Sequence, residues 1–128
     1  VVQSHPSAAV FPGGEGLAAM AARAMAAVRE WDAKLVAEHG PTVLWLVCTH
    51  GDVVKAVLAD ALGMHLDGFQ RIVVNPGSIS AVSYTDTRPF VHRVNDSGGD
   101  LRSLIPLKRG RRRNRSSDAA VGGSTGTG

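Results

Sequence analysis

A single cysteine, a handful of aromatic side chains and the lack of any long apolar run set the outer limits of this chain. Cys48 alone excludes an internal disulfide and is compatible with a reducing compartment, so a cytoplasmic chain is expected. No apolar run reaches the roughly 18 residues that a membrane span needs, and nothing near Val1 has the pattern of a signal peptide, so no membrane partner is expected. Two tryptophans, one tyrosine and three phenylalanines leave the core to Val, Leu, Ala and Ile. Metal-ligand patterns are equally sparse. Cys48 and His50 stand in C-x-H spacing without a second pair, whereas structural zinc takes four ligands. His39, His65 and His92 have no partner at ligand spacing. Neither a metal nor an organic cofactor is expected.

Acids are nearly absent from the end of the chain. Lys108 to Arg115 holds six basic residues, and Asp118 is the only acid after it, whereas the rest carries eight basic and ten acidic residues. The body is therefore slightly acidic, and the pI near 9.6 comes from the tail. From about Ser97 the composition shifts to Gly, Ser, Thr and Arg. No apolar face exists there to offset the entropy of ordering, so a disordered tail is expected over 101–128. The basic run is suited to an anionic polymer, but no aromatic is interleaved for base stacking, and nucleic acid is not the expected partner.

What is present is a helix–strand–helix pattern. Leu17, Met20, Ala21, Ala24, Val28, Trp31 and Leu35 recur at helical spacing between Gly16 and about Glu38, and His39-Gly40-Pro41 stops that helix. Val43 to Cys48 is a continuous apolar run, the pattern of a strand covered on both faces in a parallel sheet. Asp52 to about Leu62 predicts a second helix, with Val53, Val54, Val57, Leu58, Ala61 and Leu62 on one stripe. Met64 to Pro76 is a connection with room for a short helical turn. Ser78–Thr85 and Pro89–Val94 predict an antiparallel hairpin around Asp86-Thr87-Arg88.

Two segments carry chemistry. Thr49-His50-Gly51 places a histidine at the carboxyl end of a strand and beside a helix amino terminus. Open α/β sheets bind ligands at such an end, and the unpaired N–H groups of a helix start suit an anion such as phosphate. The same histidine also fits a plain strand-to-helix cap. Phe11-Pro12-Gly13-Gly14-Glu15-Gly16 delivers one carboxylate to the start of a long helix, where the macrodipole favours it with or without chemistry.

In order and spacing these segments resemble the histidine phosphatase superfamily, the phosphoglycerate-mutase-like enzymes, with an actinobacterial phosphomutase branch as the nearest likeness. P-G-G-E-G resembles the family's P-x-G-E-S element, with Gly16 in place of the usual serine. Val47 to Asp52 resembles its V-x-H-G element, and Asn75-Pro76-Gly77-Ser78-Ile79-Ser80 resembles the turn into its last core strands. The family's Arg-His-Gly nucleophile triplet does not occur, and His5, in Ser4-His5-Pro6, has no apolar strand before it to take that role. The chain is therefore expected to be the carboxyl-terminal part of a longer sequence.

The resemblance implies an α/β three-layer sandwich, with a mostly parallel sheet flanked by helices and its N-terminal strand missing, over residues 1–100. It implies phosphomonoester hydrolysis or phosphoryl transfer on a small phosphorylated metabolite through a phosphohistidine intermediate. His50 would stabilise the phosphoryl group, and Glu15 would be the acid/base. Gly14, Thr49, Gly51 and Asn75 would border the substrate. Ser78 and Arg71 lie near enough in sequence to join that rim, although turn and surface roles explain them as well. The competing expectations are a phosphate-binding or interaction module without turnover, and nucleic-acid association through the tail. An exposed sheet edge would favour self-association.

Overall fold

The computed structural model describes residues 4–99 and 101–104. The basic run and the rest of the expected tail from 105 onward lie outside the described residues. Among the described residues, two helices, one hairpin and three short 3₁₀ turns make up the α/β fold. The first helix, α1, runs Leu17–His39 and ends at Gly40, whose N–H donates to Val36 O at 2.8 Å with the glycine at φ 94°. The second, α2, runs Gly51–Ala61. Strands β1 (Ile79–Tyr84) and β2 (Pro89–Asp96) pair antiparallel, as the short turn Asp86-Thr87-Arg88 between them predicts.

The core joins every part of this frame. Ala9 from the entry loop, Leu17 from α1, Leu58 and Ala59 from α2, and Phe69 and Ile72 after it form one buried cluster, with Val82 and Val91 of the hairpin packed against it. The connection after α2 forms a 3₁₀ turn over Leu66–Arg71, which brings Phe69 inside. The entry loop is fastened to that turn by Asp67, whose Oδ1 accepts from Ser7 N–H at 2.9 Å and from Ser7 Oγ at 2.7 Å. These bonds hold the Asp67 carboxyl below its usual range. Arg29 on α1 pairs with Asp60 near the end of α2 at 3.1 Å, a link between the two helices.

Three expectations are corrected. Val43–Cys48 is not a strand: no pairing partner exists for it among the described residues, whose two strands pair with each other. An apolar run becomes a strand only when another chain segment supplies its hydrogen bonds. Its exposure alternates only over 43–46, where Val43 and Trp45 are half-buried and Leu44 and Leu46 are 95% and 82% exposed; Val47 and Cys48 are both exposed. Trp45 is anchored to α1 by donating from Nε1 to Asp32 Oδ1 at 3.0 Å. On α1, Trp31 faces solvent while Met25 is buried. On α2 the buried face only partly follows the predicted apolar stripe: Leu58 is in the core and Val54 packs against it, but Asp52, Lys55, Ala56 and Ala59 are buried as well, while Leu62 is exposed. That helix is apolar nearly all round, so hydrophobicity alone does not choose its inner face.

Candidate functional site

His50 is the N-cap residue of α2, with extended backbone (φ −94°, ψ 160°), and its carbonyl accepts from Val54 N–H at 3.1 Å. Its side chain makes no cap hydrogen bond and is exposed. The backbone thus does the capping, and the imidazole is left over. Thr49 is exposed beside it, Gly51 opens the helix half-buried, and Cys48 is exposed. A helix start without a side-chain cap keeps N–H groups directed outward and the positive end of the helix dipole. His50, Thr49 and Gly51 are therefore brought together at one helix terminus, as their order in sequence predicts.

Glu15 is delivered by a different device. Gly14 N–H donates to Phe11 O at 3.0 Å, with Pro12 and Gly13 between them and Gly13 at φ 67°. Proline then a positive-φ glycine at the two central positions is the pattern of a type II turn. The turn places Glu15 just ahead of α1, which starts at Leu17 and has no acid in its first turn. The carboxylate pairs instead with Arg23, two turns into the helix: Arg23 Nε donates to Oε1 at 3.0 Å and Nη2 to Oε2 at 2.8 Å. This two-pronged pairing holds the Glu15 carboxyl below its usual range and the Arg23 guanidinium above its own. The sequence pattern did not reveal Arg23, because the two residues are eight apart and only one of them is helical.

Gly16 has a steric reason. A Cβ there would lie 3.0 Å from Ala9 O, in the place where Leu17 N–H reaches that same carbonyl at 3.1 Å. A serine at this position would push against the entry loop, so the glycine accompanies the close approach of the two segments.

Asn75 sits at a second Pro-Gly turn, where Ser78 N–H donates to Asn75 O at 3.1 Å. Its own N–H donates to Asn95 Oδ1 at 2.8 Å. Asn95 is the one non-glycine residue at positive φ among those described (54°), at a register irregularity where β2 carries an extra residue. Asn75 thus serves the turn and the hairpin. No hydrogen bond or ion pair among the described residues joins it, Glu15 or Gly14 to His50. Arg71 ends the 3₁₀ turn, exposed. Sequence reasoning also missed Lys55. It is 2% exposed, donates from Nζ to Gln70 Oε1 at 3.1 Å, and lies 5.7 Å from the Phe69 ring centroid. Its position five residues after His50 on an apolar helix carries no signal of burial.

The family model described as histidine phosphatase superfamily (branch 1) matches residues 2–97. No curated protein and no solved structure matches the chain.

Proposed function

Because the chain belongs to the histidine phosphatase superfamily, we propose that it forms the phosphate-stabilising part of a site for hydrolysis or phosphoryl transfer on a small phosphorylated metabolite, a reaction that runs through a phosphohistidine whose Arg-His-Gly element this sequence does not contain. The observation that carries this reading is His50: an exposed imidazole, unspent in any hydrogen bond, at the uncapped start of α2. An imidazolium there donates to a phosphoryl oxygen and acts in concert with the helix terminus, stabilising charge that develops during transfer. Thr49 and Gly51 would complete that cradle, with Gly14 and Asn75 at the substrate's border.

Glu15 takes the acid/base role, but in one direction first. Arg23 favours its carboxylate form, which is suited to help water attack a phosphohistidine. Protonating a leaving alcohol requires Glu15 to part from Arg23, because a general acid must carry the proton. Substrate binding that draws Arg23 to the phosphate would do both.

In this reading the fold is a mostly parallel sheet flanked by helices, with the unpaired run 43–48 lying against α1; the Trp45–Asp32 bond supports that position. The sequence holds no Arg-His-Gly triplet. The 128-residue chain should therefore bind a phosphate analogue such as orthovanadate and show little or no turnover of a generic aryl phosphate. Robust turnover, abolished by His50→Ala, would instead make His50 the nucleophile.

A further inference from the structure

The far end of α2 carries a second polar cleft. Asp60 lies ten residues beyond His50, about 15 Å along the helix at its usual rise, and through Arg29 it fixes the wall of an open cleft of about 380 Å³. That volume is within the range of small-molecule sites. One wall is α1, with Arg29 and Asp32; the other is the turn end of the hairpin, with Tyr84, Thr85, Thr87 and Arg88.

The donors in this cleft are not consumed by the fold. Arg88 makes no side-chain hydrogen bond or ion pair with any described residue. Arg29 commits Nη2 to Asp60 and keeps its other N–H groups. Asp32 is the one acid on the walls, and its Oδ1 already accepts from Trp45. With Asp60 counted against Arg29 the charges of the cleft balance, so what it offers a ligand is unspent guanidinium N–H groups on Arg88 and Arg29.

The hairpin turn that presents Arg88 is held from within. Thr85 Oγ1 donates to Arg88 O at 2.8 Å and accepts from the N–H groups of Thr87 and Arg88 at 3.3 Å. A turn fixed this way loses little conformational freedom when a ligand arrives. Tyr84 contributes its ring to the wall, while its phenol oxygen is buried without a hydrogen-bond partner and is not offered to a ligand. Burial first, then the Asp60 carboxylate, holds its pKa above the usual value, so it adds no negative charge.

We propose that this cleft is an anion-binding site, distinct from the His50 terminus, that takes the phosphate or carboxylate group of a small metabolite between Arg88 and Arg29. Guanidinium groups suit both oxyanions because their planar forks donate two parallel hydrogen bonds. Thr87 and the free oxygen of Asp32 would meet hydroxyl or amino groups on the same ligand.

The test is calorimetric titration of the full chain with inorganic phosphate and, separately, with citrate, at low ionic strength. Four proteins are compared: the parent chain, Arg88→Ala, Arg29→Ala and His50→Ala. Arg88 is exposed and makes no side-chain bond, so its loss leaves the fold intact, which circular dichroism checks. The expected result is saturable binding of at least one oxyanion that survives His50→Ala and weakens about tenfold or more in Arg88→Ala, as loss of a charge-assisted pair requires. Arg88→Lys should recover part of it. Preference for phosphate or for citrate identifies which oxyanion the cleft is built for. Absence of saturable binding by either anion overturns the proposal. So does binding that Arg88→Ala and Arg29→Ala leave unchanged, or binding that His50→Ala alone abolishes.

Discussion

Lys55 poses the sharpest question at the scale of single residues, because a buried ammonium here has a neutral amide as its hydrogen-bond partner. Desolvating a charge is costly, and the Gln70 carbonyl and the Phe69 ring offset it only in part. Replacing the charge by a side chain of similar shape should therefore be neutral or stabilising, so Lys55→Met is expected to hold or raise the urea midpoint. Gln70→Leu, which strands the ammonium, should cost about 1–3 kcal/mol. A larger loss from Lys55→Met than from Gln70→Leu would contradict this account of the pair. Asp67 gives the pH prediction. Its folded pKa is depressed by the two bonds from Ser7, so its contribution is complete above the unfolded carboxyl range and is lost as pH falls through the folded value. Stability should thus decline on acidification below about pH 4, and Asp67→Asn should flatten that decline. Equal acid sensitivity in the parent and in Asp67→Asn would remove Asp67 from the linkage. At this scale the sequence was most legible where one residue has one job. Gly40 ending α1 and Gly13 turning the chain toward Glu15 follow from their neighbours alone. Arg23 and Gln70 were not legible, because each acts on a partner that the chain meets only after folding.

Among the elements, the run from Val43 to Cys48 stands apart. Its backbone has no strand partner among the described residues; Leu44 is 95% exposed, and Leu46 lines an open apolar groove of about 410 Å³ together with Trp31, Leu35 and Trp45. Unpaired backbone joined to exposed leucine is the signature of an edge that recruits another strand. We therefore propose that the chain self-associates through this segment. Leu44→Lys with Leu46→Lys should shift sedimentation toward monomer and lower the binding of an apolar dye. The thermal midpoint should barely change, since neither side chain contributes to the core. An unchanged association state would place the contact elsewhere. The helices and the hairpin were readable because their signals are local: 3.6-residue periodicity, a glycine stop, a three-residue turn between two strand-forming runs. Strand pairing is non-local, which is why an apolar run alone did not determine its state. The inner face of α2 was lost for a related reason, since Asp52 and Lys55 are buried on a helix whose outer side is also apolar.

For the molecule as a whole, two helix starts and one hairpin sit on a small shared core, and the candidate chemistry is divided between them. The α/β class and the family were both legible, because the P-G-G-E-G element and the Val47–Asp52 segment around His50 follow one another in the family's order along the chain. How Glu15, His50 and Asn75 relate in space was not legible, since order along a chain does not fix distance across it. Glu15 instead proves to be tied to Arg23, and Asn75 to Asn95. No described helix is long and apolar enough to cross a membrane. The central claim is that His50, at the start of α2, binds the phosphoryl group. The measurement that tests it most directly is orthovanadate affinity, taken in the Arg88→Ala background so that the second cleft does not contribute. His50→Ala should weaken vanadate about tenfold or more, the size of a lost charge-assisted hydrogen bond, while Glu15→Gln leaves it nearly unchanged. Equal vanadate affinity with and without the His50 imidazole would contradict the claim and take this histidine out of the site.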